Sequence, residues 1–128
     1  MSKILSDEQI KNIKSNQNVV FATSDKNNQP RCVVVIPSRV EEDRIILSSI
    51  QMNKTLENLK QNPKCFINVY VSEQDDLQYK IEGYAEIYES GSLFEEIKGF
   101  EESENLPPDL SVHSIVVVKI ISVEESMG

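Results

Sequence analysis

A polar segment between two apolar stretches carries residue types that bind anions. Residues 46–63, ILSSIQMNKTLENLKQNP, run from a strand-like end through a turn into an amphipathic helix that stops before Pro63. Five side chains of this segment offer hydroxyl, amide or ammonium groups: Ser48, Ser49, Asn53, Lys54 and Thr55. We expect Asn53 to be the N-cap residue, with Lys54 and Thr55 in the first helical turn. The unpaired N–H groups and the positive dipole end of such a helix favour an anion such as a phosphate.

Lys54 makes the phosphate interpretation more specific, because the helix dipole disfavours a cation in the first turn. A simpler interpretation is a solvated lysine beside an ordinary asparagine cap, and the local sequence leaves both open. The chain has no glycine-rich loop, which excludes the P-loop and dinucleotide fingerprints. The segment therefore indicates phosphate binding without a nucleotide-binding motif.

Hydrophobic periodicity predicts a mainly β protein around this segment. Ser6 and Gln9 have the spacing of a capping box and begin a short helix. Runs of β-branched or alternating residues, separated by turn formers, predict six strands, at residues 19–24, 31–40, 44–49, 65–72, 77–89 and 114–123. A further helix is predicted at residues 92–104, with its acidic side chains on a solvated face.

The stretch at residues 77–89 shows how the sheet should be arranged. Its side chains alternate almost strictly, with Tyr79 and Ile81 on the side expected to face the core and Lys80 on the side expected to meet water or a partner. Consecutive apolar strands would present exposed edges unless the sheet closed. The expected fold is therefore a six-stranded antiparallel β-barrel with small helices, formed by residues 1–128 as one domain.

Composition limits the partners and the compartment. A net charge of −8 and a pI near 4.7 argue against DNA or RNA as a partner. No apolar run reaches the roughly 20 residues of a membrane span, and the N-terminus lacks the pattern of a signal segment, so we expect a cytoplasmic protein without a membrane partner.

Cys32 and Cys65 lie in apolar runs, and we expect both to be buried free thiols. His113 is the sole histidine and has no ligand set at metal spacing, so no metal site is predicted.

The order of these elements resembles the FMN-binding split β-barrel of the pyridoxamine 5′-phosphate oxidase superfamily. The resemblance covers nearly the whole chain and rests on three stretches: the first hairpin VVFATSDKNNQPRCVVVIP, the segment IILSS followed by QMNKTLENLKQNPKCFINV, and the strand LQYKIEGYAEIYE. In its length and its Met-x-Lys-Thr segment the chain is similar to the small FMN-binding proteins of that fold. The resemblance implies a split barrel with FMN as its cofactor.

The resemblance also implies a role for each matching position. The positions where the family binds the FMN phosphate and nearby ribityl groups are Ser48, Ser49, Asn53, Lys54 and Thr55. The strand that lies along the flavin ring, and whose arginine often approaches the phosphate, includes Arg31, Val33, Val34 and Val35. Gln78 matches a glutamine near the flavin that often comes from the second subunit. Family members are usually homodimers with two FMN sites at the interface, so the implied partner is a second copy of the chain.

Departures from the oxidase pattern argue against a genuine vitamin B6 oxidase. The oxidases commonly place two basic residues in the turn after the third strand. Here Lys54 is the only basic residue of that pair, and Thr55 takes the second position. Ile36 lies where the oxidases have a lysine that approaches flavin and substrate. The sequence also lacks the arginine- and tryptophan-rich tail that binds the pyridoxine substrate in those enzymes.

Two classes of function remain open. The first is a flavoprotein whose FMN performs redox chemistry, either as an oxidoreductase acting on an unknown small molecule or as an electron carrier with an unknown redox partner. No protein acid or base is evident that would separate these two. The second class is a non-catalytic split barrel, or one that holds a deazaflavin or haem instead of FMN.

Overall fold

A computed structural model describes residues 4–16, 19–50, 52–72 and 76–127. Those residues form three α-helices and seven strands: α1 (Asp7–Lys14), β1 (Val19–Ser24), β2 (Pro30–Val35), β3 (Arg39–Val40), β4 (Arg44–Ser49), α2 (Asn53–Gln61), β5 (Lys64–Ser72), β6 (Leu77–Tyr88), α3 (Ser92–Phe100) and β7 (Ser114–Ser126). A π-helical turn, Glu101–Asn105, continues α3. Across these ranges, every helix is too short or too polar to cross a bilayer.

The strands form one antiparallel sheet in the order β2-β1-β5-β6-β7-β4-β3. Its two edge strands, β2 and β3, are separated in the chain only by residues 36–38. Because a connection of that length spans at most about 14 Å, the sheet must curl until its edges approach each other. The prediction of a mainly β, antiparallel split barrel with small helices is confirmed.

The number of strands differs from the predicted six. The sequence predicts one strand over residues 31–40, whereas the structure pairs β2 with β1 and β3 with β4. Pro37 has no amide hydrogen to donate and so interrupts the ladder. The N–H of Ser38 already donates to the carbonyl of Ile46 at 2.8 Å, so the chain leaves one sheet edge and joins the other within three residues.

Apolar clusters cover both faces of this sheet. Successive strand residues point to opposite faces, so Ile45 and Leu47 belong to the larger cluster and Ile46 belongs to the smaller one. The larger cluster includes Ile13 of α1 and Leu59 of α2. The smaller cluster is formed by β4, β7 and α3, together with Val112 of the connection that follows. Helix α3 therefore covers the outside of the barrel at β4 and β7.

β6 confirms the predicted alternation, because Tyr79, Ile81 and Ala85 are buried between more exposed neighbours. Gly83 also faces inward, and a Cβ atom added there would lie 2.7 Å from Val118 Cγ1 and 2.8 Å from the carbonyl oxygen of Lys119. The register of β6 and β7 shifts beside this position. Glycine is required here by the close approach of the β7 backbone.

One of the two predictions about the cysteines is wrong. Both thiols are free, and Cys65 is buried as predicted, but Cys32 is exposed. Cys32 shares the outward side of β2 with Val34, which is 65% exposed. The prediction failed because residues 32–36 are apolar on both sides of the strand, which hides the alternation.

The helix starts were predicted with different success. The capping box of Ser6 and Gln9 is confirmed at the start of α1. At α2, the N-cap residue is Met52 rather than the predicted Asn53, because the N–H of Leu56 donates to the Met52 carbonyl at 2.9 Å. Asn53 is therefore the first helical residue. The predicted end of this helix, before Pro63, is confirmed.

Candidate functional site

A cleft of about 710 Å³ lies beside the crossing from β2 to β3. One wall consists of residues 34–38 with Leu47 and Ser48 of β4, and the segment before α2 contributes Ile50 and Met52. The other wall comes from the end of α3 and the π-helical turn. Small-molecule sites commonly have volumes of roughly 300–1,000 Å³ and predominantly apolar walls. Both properties fit this cleft.

The strand wall offers an apolar surface with a polar group at its side. Val34 at the end of β2 and Ile36 in the connection that follows are 65% and 68% exposed, so they form an exposed aliphatic surface. Beside them, the hydroxyl oxygens of Ser38 and Ser48 are hydrogen-bonded to each other at 2.5 Å. A flat apolar ligand with hydroxyl substituents matches this wall.

The N-terminus of α2 reaches the same cleft through Met52. No side chain caps this helix, and its first turn contains no acidic residue. By contrast, α1 has a capping box and carries Asp7 and Glu8 in its first turn. Because the first N–H groups of a helix have no acceptor within it, α2 presents backbone donors and a positive dipole end that no side chain of its own satisfies.

The side chain of Lys54, in the first turn of α2, is mostly exposed and only weakly held. Its side chain is 72% exposed, and Nζ lies 3.8 Å from a carboxylate oxygen of Glu57. An exposed pair at that distance contributes little energy. The ammonium group is therefore available to an anion at the start of α2.

The hydroxyl groups of Ser49 and Thr55 lie deeper than the resemblance implies. Ser49 is 2% exposed and Thr55 is 1% exposed, and neither lines the cleft. Ser49 points inward like Leu47, two residues earlier on β4. An anion at the start of α2 would meet the backbone N–H of Thr55 rather than its side chain.

Arg31 and Val33 lie outside the cleft lining, on the strand side that α2 approaches. Arg31 is paired with Thr23, whose hydroxyl accepts a hydrogen bond of 3.2 Å from Asn58 Nδ2 of α2. Asn58 lies four residues, about 6 Å, beyond Lys54 along the helix. Arg31 is exposed and lies on the same side of the sheet as Thr23, whereas Val33 packs on the core.

Gln78 is not brought to the cleft within one chain. It lies on β6, paired with Tyr70 of β5, and β1 and β5 separate it from β2. Three strand spacings correspond to about 14 Å across the sheet. Of the ten predicted site residues, Val34, Val35 and Ser48 line the cleft, Asn53 and Lys54 follow its Met52, and the remaining five lie elsewhere.

The second wall contains functional candidates that the sequence analysis missed. Phe100 is 53% exposed, although its spacing after Ile97 predicts a core position. Glu101 and Asn105 also line the cleft, and Asn105 Nδ2 donates a long hydrogen bond of 3.5 Å to Glu101 Oε1. The π-helical turn shifts these side chains off the regular helical spacing, and the sequence shows no sign of that turn.

Glu102, predicted on the solvated face of the helix, is partly exposed and also holds this wall in place. Its carboxylate accepts hydrogen bonds from the N–H of Val112 at 2.7 Å and from Lys98 Nζ at 2.6 Å. The hydrogen bond from Lys98, followed by that from Val112, lowers the pKa of Glu102. The end of α3 is therefore tied to the connection that leads into β7.

Two further observations concern the Cys65 thiol and the side chains that could bind a metal in the described ranges. Burial raises the pKa of the Cys65 thiol to about 12, so it stays protonated near neutral pH. Within those ranges, His, Cys, Asp and Glu form no group of three or more that could hold a metal ion. The chemistry offered by the cleft is binding by apolar contact, hydroxyl groups and helix N–H donors.

Known proteins share this fold and sequence pattern. The family model described as pyridoxamine 5′-phosphate oxidase matches residues 6–125. Protein MJ0282 of Methanocaldococcus jannaschii is 32% identical over 123 residues, which cover 93% of this chain and 78% of that protein.

Two solved structures show the likeness in three dimensions. HupZ from Group A Streptococcus has a TM-score of 0.82 at 19% identity, covering 97% of this chain and 96% of that one. An FMN-binding protein from Syntrophomonas wolfei subsp. wolfei has a TM-score of 0.73 at 22% identity, covering 91% of this chain and 82% of that one. At these identities the structures establish a shared fold. Because the family model spans nearly the whole chain, the chain belongs to the pyridoxamine 5′-phosphate oxidase family of split β-barrels.

Proposed function

We propose that the protein binds FMN in the cleft and acts as a flavoprotein, either an FMN-dependent oxidoreductase or an electron carrier. One observation carries this proposal: the apolar strand wall and the uncapped start of α2 meet at a single cleft, through Ser48 and Met52. FMN has a flat ring system and a phosphate, which match those two parts. The shared fold with an FMN-binding protein of Syntrophomonas wolfei supports the same conclusion.

The start of α2 is the proposed phosphate site. The N–H groups of residues 53–55 and the ammonium of Lys54 would hold the phosphate, because they combine donors with positive charge in a first turn that contains no acid. Arg31, beside the same helix, adds a cation that has no ion-pair partner within the described residues. The hydroxyl groups of Ser49 and Thr55 are buried beneath the start of α2 and would not contact the phosphate directly.

The strand wall is the proposed site of the ring and the ribityl chain. Val34 and Val35 would lie along the ring, and the hydroxyls of Ser38 and Ser48 would meet the ribityl groups. When bound, FMN supplies the redox chemistry of the protein. The residues of the chain bind it, orient it and exclude water from one side of the ring.

The residue at position 36, Ile36, argues against vitamin B6 oxidation as the function of this protein. It lines the cleft as an exposed aliphatic side chain where the oxidases have a lysine. No ammonium group therefore stands at that point to contact a substrate. We propose redox chemistry on another acceptor, and we expect no turnover of pyridoxine 5′-phosphate.

The visible absorbance spectrum of the purified protein tests cofactor identity. FMN should be retained through gel filtration at one molecule per chain and give the two absorption bands of an oxidised flavin. A spectrum typical of haem or of a deazaflavin would identify that group, instead of FMN, as the cofactor. Failure to bind any flavin added in excess would identify a split barrel without this cofactor.

A homodimer is part of the proposal, because one side of the sheet is apolar and uncovered. We define the outer sheet face as the outward residues of β1, β2 and β5: Val20, Ala22, Cys32, Val34, Phe66, Asn68 and Tyr70. Val34, Phe66 and Tyr70 are 65%, 36% and 38% exposed in the single chain. The adjoining outward residues of β6 include Lys80 and Glu82, so the apolar patch has a charged border.

The outer sheet face is continuous with the cleft, because Val34 belongs to both. A second copy that covered this face would bury the apolar patch and enclose the ring of FMN. Gln78, on β6 beyond Tyr70, would then serve the site of the partner. This arrangement explains how a residue distant from the cleft in one chain can contact the flavin.

Light scattering during gel filtration tests the dimer. We expect a homodimer, and Phe66→Glu should produce monomers because it places a charge in the outer sheet face. Ile121→Glu is the matched control, since Ile121 is 50% exposed on β7, outside that face. A native monomer that still binds FMN tightly would refute the interface arrangement while leaving the cofactor assignment intact.

A further inference from the structure

We infer that the cleft wall formed by Phe100, Glu101 and Asn105 binds an organic cation, so that the substrate or redox partner of the proposed flavoprotein carries a positive charge on an apolar body. The inference rests on the proposed function only for the role of the cation, since the site itself is visible in the cleft. None of its three residues is among those proposed to bind FMN.

Charge is the first observation. Among the described residues that line the cleft, Glu101 is the one with a charged side chain. Its carboxylate has a single contact, the long hydrogen bond from Asn105, and no lysine or arginine of the described residues lies within 4.0 Å. The carboxylate therefore keeps most of its hydrogen-bonding capacity for a ligand in the cleft.

The nearby basic residues are engaged by other acids. Lys98 Nζ is bound to Glu102 at 2.6 Å, and Arg39 is bound to Glu96 at 2.9 Å. Both cations are thus paired with acids other than Glu101. Because the whole chain also carries a net charge of −8, its field favours the approach of cations to this cleft.

An aromatic ring beside the carboxylate is the second, independent observation. Phe100 lines the cleft with 53% of its surface exposed, so its ring is accessible to a ligand. Aromatic rings attract ammonium groups through the negative charge of their faces. A carboxylate, an aromatic ring and an amide oxygen on one wall form the combination that recognises an amine with an apolar substituent, and the facing aliphatic wall accommodates that substituent.

The position of Glu101 is fixed by its neighbour. The carboxylate of Glu102 is committed to Lys98 and to the N–H of Val112, which anchors the π-helical turn against the connection into β7. With Glu102 held on that side, Glu101 and Asn105 line the cleft. Of the two consecutive acids on this turn, Glu102 therefore has a structural role and Glu101 has the binding role.

Three probes of the same shape test the inference: benzylammonium, benzyl alcohol and benzoate. Their binding to the FMN-loaded protein and to the flavin-free protein is measured by calorimetry and by NMR shifts of residues 100–106. We expect benzylammonium to bind about fivefold more tightly than benzyl alcohol, and benzoate to bind most weakly. Absence of saturable benzylammonium binding, or equal affinity for all three, would overturn the inference.

Variants assign the preference to the proposed residues. Glu101→Gln should abolish the difference between benzylammonium and benzyl alcohol, and Phe100→Leu should reduce it about two- to fivefold. Glu104→Gln is the matched control, because Glu104 is exposed on the same turn but does not line the cleft. A preference that survives Glu101→Gln, or that falls equally in Glu104→Gln, would refute the site. Retention of FMN is scored separately, so loss of flavin binding with an intact cation preference refutes only the flavoprotein proposal.

Discussion

Replacing Lys54 with glutamate tests the phosphate site most directly. The substitution reverses the charge at the start of α2, whose first turn has no acidic residue and no side-chain cap. If the FMN phosphate binds there, Lys54→Glu should weaken FMN binding by at least about tenfold, or 1.4 kcal/mol. Riboflavin lacks the phosphate, so its affinity should change much less. Both dissociation constants are measured by quenching of flavin fluorescence.

The expected magnitude follows from the exposure of the lysine. Two unit charges about 4 Å apart interact with about 1 kcal/mol at the dielectric constant of water and about 4 kcal/mol at an effective value of 20. Lys54 is 72% exposed, which places it near the lower limit. The phosphate carries about −1.5 to −2 charges, and the variant replaces an attraction by a repulsion. Salt screening and side-chain mobility reduce the resulting value of about 3 kcal/mol, so tenfold is a conservative threshold.

Lys60→Glu provides the matched control on the same helix. Lys60 is exposed in the last turn of α2, about 9 Å along the axis from Lys54, and its replacement changes the net charge equally. FMN affinity should fall far less in this variant. Equal losses for FMN and riboflavin in Lys54→Glu, or equal losses of FMN affinity in the two variants, would refute the reasoning. The flavin-free Lys54→Glu protein should keep its stability, because an acid suits the first turn.

Three further outcomes concern stability and reactivity. Gly83→Ala should lower the free energy of unfolding, measured in urea, by about 1–3 kcal/mol, because the added Cβ would meet the β7 backbone. Gly99→Ala in α3, where the added Cβ meets open space, should raise the free energy of unfolding by about 0.5–1 kcal/mol. Alkylation at pH 8 in native protein should spare Cys65, whose pKa burial raises to about 12, and should reach it in urea, as peptide mass spectrometry would show. Glu102→Gln should lower the melting temperature at neutral pH. Because the folded state lowers the pKa of Glu102, its contribution is present above the unfolded pKa of about 4.3. The contribution disappears as pH falls through the folded pKa, so the difference between the two melting temperatures should shrink on acidification.

The parts of the fold that were predicted correctly are those in which neighbouring residues carry the signal. The capping box of Ser6 and Gln9 depends on two side chains three positions apart, and the structure contains it. The two sides of β6 differ in polarity, so the alternation in the sequence identified the buried side. Local chemistry and short spacing were sufficient for these elements.

The incorrect predictions occur where both sides of a strand are apolar or where a helix changes its winding. At β2, the outward positions carry residues as apolar as the inward ones, so Cys32 could not be distinguished from a core thiol. At the end of α3, Phe100 has the spacing of a core residue, but the π-helical turn that follows leaves it exposed at the cleft. Both errors follow from tertiary structure that overrides a correct local pattern.

The prediction for the candidate site was limited in a similar way. The spacing of Asn53, Lys54 and Thr55 predicted an anion-binding helix start, and the structure provides an uncapped helix there, displaced by one residue at its N-cap. The distance of Gln78 from the cleft could not be predicted from its own strand, because it depends on the order of four strands in the sheet. The sequence therefore suggests chemical groups for the site, whereas their mutual positions depend on the tertiary structure.

The break in the predicted strand over residues 31–40 is also what creates the cleft. Had the strand continued through Pro37, its amides would have remained in one ladder, and Ile36 and Ser38 would have alternated along a regular sheet. The crossing instead moves the chain from the β1 edge to the β4 edge, which opens the sheet and places residues 34–38 along one wall. The apolar side chains of Val34 and Ile36 at this crossing remain exposed. Departures from regular structure are expected where function rather than packing determines local geometry, and here a single proline lies at the centre of the departure that borders the proposed ligand site.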